Sequence, residues 1–184
     1  MNPTLPNEAH SLEQMLMTEL SRRNAEVVAG FALQEPLLFD ELFRLYAANR
    51  EPVSRRAAWA IDLVSEREPA LIEPYLAQIA DLLAIFLHDG LKRHSLRILA
   101  RSPLPTGDRL ARLINTCFDW LQSPKEAIAV KVHCMEILYR ISRQEPELQK
   151  ELAASIEWRL EEESAGFRNR GRKLLRRLYK DIPS

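Results

Sequence analysis

A chain of 184 residues with 46% hydrophobic and 28% charged side chains has the balance of one folded domain around a single core. Its 26 basic and 26 acidic residues cancel, which excludes wholesale recruitment to nucleic acid or an anionic membrane and leaves that role to local patches. The longest apolar run, Ile79 to Leu87, is broken by Asp81 and falls short of the ~20 residues of a bilayer span, and the opening Met1-Asn-Pro-Thr-Leu-Pro lacks the regions of a signal peptide, so a cytoplasmic protein without membrane contact is expected.

From the N-terminus, residues 1–8 read as a flexible leader, and helical periodicity then occupies almost the whole chain. Apolar positions at Ala58, Ile61 and Val64, at Ile72, Tyr75, Leu76, Ile79, Leu82, Leu83 and Phe86, at Leu110, Leu113, Ile114, Cys117 and Leu121, and at Val130, Cys134, Ile137 and Ile141 keep the three-and-four spacing of amphipathic helices. No run of β-branched residues bounded by turns competes with it. Prolines 36, 52, 69, 103, 105, 124 and 146 fall between these runs, where they start helices or break them. Helices are predicted near 9–20, 22–34, 36–49, 53–66, 70–87, 90–101, 107–122, 125–143, 147–163 and 165–180, joined by linkers short enough to make neighbours antiparallel. Cys117 and Cys134 lie among apolar neighbours on predicted helices and read as small buried hydrophobes rather than a disulfide.

Alternate helices repeat. Ser21-Arg-Arg-Asn-Ala-Glu-Val-Val aligns with Ser54-Arg-Arg-Ala-Ala-Trp-Ala-Ile, Leu91-Lys-Arg-His-Ser-Leu-Arg-Ile and Val130-Lys-Val-His-Cys-Met-Glu-Ile, and less closely with Arg168-Asn-Arg-Gly-Arg-Lys-Leu-Leu. With Arg23, Arg56, Arg93, Val132 and Arg170 as equivalents, the spacings are 33, 37, 39 and 38 residues. Two residues on, Ala25, Ala58, Ser95 and Cys134 are small and allow close helix approach; five residues on, Val28, Ile61, Ile98, Ile137 and Leu175 plug the core. A period near 40 with two helices per unit is the size of a HEAT-type repeat. Through the Arg-Arg-Ala-Ala-Trp-Ala-Ile-Asp-Leu-Val run at 55–64 and its echoes, the chain resembles the HEAT and armadillo-like superfamily over nearly its whole length. The resemblance implies an all-α fold, an α-α superhelix or right-handed solenoid of about five antiparallel helix pairs in a single domain, with 165–184 as a basic C-terminal capping helix. Members of that superfamily serve as curved scaffolds for protein or peptide partners, and some bacterial ones bind DNA and excise alkylated bases.

Basic residues recur in register at Arg22 and Arg23, Arg55 and Arg56, and Lys92 and Arg93, followed by Lys131 and Arg170. Cations near a helix N-terminus oppose the helix dipole by roughly 0.3–1 kcal/mol each, so their recurrence asks for a reason. A groove for an anionic ligand is one. The other is a structural ladder, because Glu19, Glu51, Asp89, Glu126 and Glu163 precede most of the copies and supply neutralising partners. The C-terminal run Arg168, Arg170, Arg172, Lys173, Arg176, Arg177 and Lys180 has the same two readings, a phosphate-binding helix or the polar outer face of a terminal repeat.

His94 and His133 stand at equivalent positions, with Cys134, His88 and Asp89 nearby, but zinc needs three or four converging ligands and no such spacing is present. Trp59 with Asp62 on the following turn resembles the aromatic and carboxylate pair of HEAT-like DNA glycosylases, without their surrounding aromatics; Trp59 fits core or groove lining as well. No Gly-rich phosphate loop, nucleophile triad motif or His-Glu-x-x-His signature is found. The expectation is therefore a non-catalytic, cofactor-free binding module in which Arg23, Arg55, Arg56, Trp59, Lys92, Arg93, Lys131 and Arg170 face an acidic protein or peptide. Nucleic-acid binding with glycosylase-like activity is the alternative, and a metal-dependent enzyme the third.

Overall fold

A computed structural model describes residues 11–181, so the predicted leader 1–8, the first residues of the helix expected from 9 and the end of the one expected to 184 lie outside the described residues. In chain order the helices are α1 (Leu12–Thr18), α2 (Arg22–Gln34), α3 (Pro36–Ala47), α4 (Val53–Arg67), α5 (Pro69–Ile72), α6 (Leu76–Leu82), α7 (Asp89–Arg101), α8 (Gly107–Gln122), α9 (Ile128–Ser142), α10 (Pro146–Leu160) and α11 (Ala165–Asp181). No strand occurs among the described residues. The chain divides into two compact units, Met1–Ile98 and Leu99–Ser184.

Helix ends follow local chemistry. Ser11 and Gln14 form a reciprocal capping box at α1, and the Ser21 hydroxyl accepts the Asn24 N–H at 3.0 Å to open α2. Pro36, Pro69 and Pro146 sit at first helical positions, where the missing N–H is no loss. After α3, Asn49 takes a left-handed φ of 51°, which Asn tolerates better than most residues, and its amide donates to the Ile85 carbonyl at 3.1 Å. The helix predicted over 70–87 is instead interrupted: α5 and α6 are separated by a 3-10 turn at Glu73–Tyr75, and a second turn follows at Leu83–Ile85. Pro74 explains the first break, since inside a helix it removes one hydrogen bond and crowds the preceding turn.

In the first unit α4 packs against α2 and α3, and α1 against α2 and α4. Phe39, Phe43, Tyr46 and Phe86 are buried, with Tyr75 edge-on to Phe39 at 5.0 Å between centroids. Ser95 donates its hydroxyl to the Leu91 carbonyl, so at 2.7 Å it accepts from Tyr46, whose burial raises the phenol well above its ordinary pKa. In the second unit α9 packs against α8, α10 and α11. The Arg140 guanidinium on α9 donates to the Leu99 and Ser102 carbonyls at 3.0 Å and also to that of Ala100, satisfying the open carbonyls at the end of α7.

The recurring register is the core. Ala58, Ser95 and Cys134 are fully buried, as are Val28, Ile61, Ile98 and Ile137, each aliphatic contributing roughly 1.5–3 kcal/mol of burial. At Gly171, a Cβ would stand 2.9 Å from Ile156 Cγ2 and 3.2 Å from Leu160 Cδ2, so the bare backbone lets α11 approach α10. Gly171→Val is expected to lower the unfolding free energy by about 2 kcal/mol through overpacking, read as a reduced urea midpoint with an unchanged m-value.

Candidate functional site

Asp62 on α4 occupies the register position filled by Ala29, Leu99 and Leu138 in three other copies, where all are buried and apolar. It is itself only 1% exposed, and an ionised carboxylate there needs hydrogen-bond partners to survive. His94 Nδ1 lies 2.7 Å and Arg97 Nη1 3.0 Å from its Oδ2, and Arg97 Nη2 donates to Glu66 at 2.8 Å. A carboxylate only accepts, so the His94 proton is on Nδ1 and Nε2 is left as an acceptor, which Arg93 Nη2 meets at 3.0 Å. Burial pushes His94 below the ordinary imidazole pKa, Asp62 works against this, and Arg93 and Arg97 add to the lowering.

This chain of bonds builds a cleft between α4 and α7. The Trp59 ring stacks on the His94 imidazole, centroids 6.0 Å apart and planes 21° from parallel. Leu20, Trp59 and His94 give the cleft apolar surface, Arg55 and Arg93 give it cations, and the start of α7 at Asp89 and Gly90 closes it, leaving a volume of about 330 Å³. Arg55 Nε is 3.1 Å from Glu51 one turn earlier. His88 ends the preceding turn and accepts the Gly90 N–H on Nδ1 at 2.9 Å, and its Nε2 lies 3.4 Å from Arg55 Nη1.

The predicted cations therefore occupy unlike settings. In the first unit Arg23 and Arg93 are exposed, Arg55 and Arg56 half-buried, and Lys92 buried. Arg56 donates to the Leu16 carbonyl at the end of α1, at 2.9 Å. In the second unit Lys131 is 2% exposed and holds Glu163, which Arg159 also binds at 2.8 Å, while Arg170 reaches Glu136 on α9. Burial alone would raise Glu163, but the bonds from Lys131 and Arg159 outweigh it and leave it below the usual carboxylate value. Sequence reasoning weighed Asp62 with Trp59 and missed its bonds to His94 and Arg97, 32 and 35 residues on. The available signal was an acid at a core register position.

Among the described residues no group of three or more His, Cys, Asp or Glu converges to hold a metal ion, and no helix is long and apolar enough to cross a membrane. Cys117 and Cys134 are buried free thiols. The fold and its period define a helical-repeat protein, and the model of a HEAT repeat domain matches residues 12–178. The chain belongs to the HEAT-repeat family, whose members are generally non-catalytic and often mediate protein interactions. No curated protein matches the chain, and no solved structure does.

The depressed His94 pKa has a stability consequence with a defined sign. In the unfolded chain this imidazole takes a proton as pH falls below about 6.5, while in the fold it resists, so acid favours unfolding by up to about 1.4 kcal/mol per pH unit. Urea midpoints are expected to drop from pH 7.5 to 5.5, and His94→Gln to flatten that dependence; an equal slope in the variant contradicts the assignment.

Proposed function

We propose that this HEAT-repeat protein is a non-catalytic binding module whose first unit takes an acidic, partly apolar segment of a partner protein into the cleft over Trp59. The observation that carries the reading is the pairing of a half-buried indole, held flat by His94, with the Arg55 and Arg93 guanidiniums beside it. An indole fixed by its neighbour contributes contact area with little rotamer entropy left to lose, and tryptophan and arginine are the residue types that dominate interface energetics. Guanidiniums suit carboxylates through paired N–H donors. Asp62 is bonded to His94 and Arg97 beneath the cleft, which favours recognition over use of that carboxylate in chemistry. Of the cations predicted from the register, Arg55 and Arg93, with Trp59, form the contact surface in this reading, while Lys131 and Arg170 support the second unit.

Immobilised full-length protein is expected to recover a partner from lysate of its own source, and Arg55→Glu with Arg93→Glu to abolish that recovery. Trp59→Ala is expected to weaken binding of the recovered partner about 30-fold, the equivalent of ~2 kcal/mol. Recovery and affinity unchanged in both variants would overturn the reading.

A further inference from the structure

From Arg172 to Lys180, every exposed position of α11 except Tyr179 is basic: Arg172, Lys173, Arg176, Arg177 and Lys180. Several cations elsewhere are matched to acids, as in Arg22 with Glu26, Arg50 with Glu13 and Arg97 with Glu66, and nowhere else among the described residues do five exposed cations follow one another on one helix without an exposed acid between them. These five have no acidic partner among the described residues; Arg177 lies over the Tyr139 ring at 4.2 Å and Arg176 Nε donates to the Arg172 carbonyl. Arg172, Arg176 and Lys180, and beside them Lys173 and Arg177, are like-charge neighbours four residues apart, an arrangement that weakens a helix. The dipole accounts for cations in the last turn, but Arg172 and Lys173 lie more than two turns from the end. A chain with equal numbers of acids and bases had mixed charge available for solubility and did not use it here.

We infer that the exposed face of α11 is a docking surface for the phosphate backbone of duplex nucleic acid. Successive cations in a row rise about 6 Å along the helix, giving a straight ridge of charge against a polymer that carries one phosphate per ~1.7 Å of axis. Three of the five are arginines, whose planar donors match phosphate oxygens. A membrane fits less well, because the apolar side of α11, Phe167, Leu174, Leu175 and Leu178, is buried in the protein and is not free to enter lipid. Single strands fit less well too: binders of that kind interleave cations with stacking rings, whereas this stretch exposes only Tyr179, whose hydroxyl is bound to Glu157. The surface lies in the second unit and does not rest on the Trp59 cleft.

The test is fluorescence anisotropy of a labelled duplex DNA of about 24 base pairs against the full chain across a KCl series, the length giving the site several phosphate registers. Binding is expected to weaken linearly in log salt with a slope of about −3 to −5. Arg172→Gln with Arg176→Gln and Lys180→Gln should bind at least tenfold more weakly at low salt and reduce the slope by about 3. Should the triple variant lose its helical circular dichroism, Arg172→Gln alone carries the test, with a slope change of about 1. Arg172→Lys with Arg176→Lys should keep the wild-type slope, and Trp59→Ala should bind duplex normally. No binding at the lowest salt, binding by the Gln variants equal to wild type, tighter binding to phosphatidylserine vesicles than to duplex, or equal displacement by poly-glutamate would each overturn the proposal.

Discussion

The Asp62 carboxyl stands where three other repeats place Ala29, Leu99 and Leu138, and it is held there by His94 and Arg97, which both donate to one of its oxygens. Removing either partner would leave buried charge under-solvated, at a cost of order 3–5 kcal/mol for a broken pair. An aliphatic side chain would fill the position more simply, so the cluster's effect is on geometry. It pins α7 to α4, sets the His94 proton on Nδ1, and thereby turns Nε2 toward Arg93 and the ring face toward Trp59. The cleft inherits its floor and one of its cations from a single buried acid.

The second unit uses charge differently. Glu163, in the turn between α10 and α11, gathers Lys131 from α9 and Arg159 from α10, and Glu136 on α9 takes Arg170 from α11. These contacts join helices whose apolar faces already meet, and they leave little cationic surface near α9. A row of five cations on the outer face of α11 has no acidic partner among the described residues. In acid the Glu163 bonds fail as the carboxyl protonates, below its ordinary range.

Periodicity exposed the architecture because the same physical demand recurs in every copy. Ala58, Ser95 and Cys134 are small because two helices meet there, and Ile61, Ile98 and Ile137 are branched because they fill the layer between, so a spacing of 33 to 39 residues was visible without coordinates. Pro74 was the exception, a local break inside a strongly periodic run whose apolar rhythm continues through it. The candidate site was less legible. Register makes Lys131 the equivalent of Lys92, and both are buried, whereas Arg93, the next residue along and the equivalent of Val132, stays at the surface; Glu163 draws Lys131 inward. Such pairings join residues more than 30 positions apart, and no local pattern encodes them. The one departure from pattern that did mark the site, an acid in a core register, carries meaning only once the equivalent positions are known to be buried.

The tautomer of His94 tests the account most directly, because everything above Asp62 follows from it. Long-range proton-nitrogen correlation NMR of the uniformly labelled protein at pH 7 should show a neutral His94 ring with its proton on Nδ1 and an unprotonated Nε2. A proton on Nε2, or a charged ring at that pH, would contradict the hydrogen-bond chain from Asp62 to Arg93 and remove the basis for the cleft.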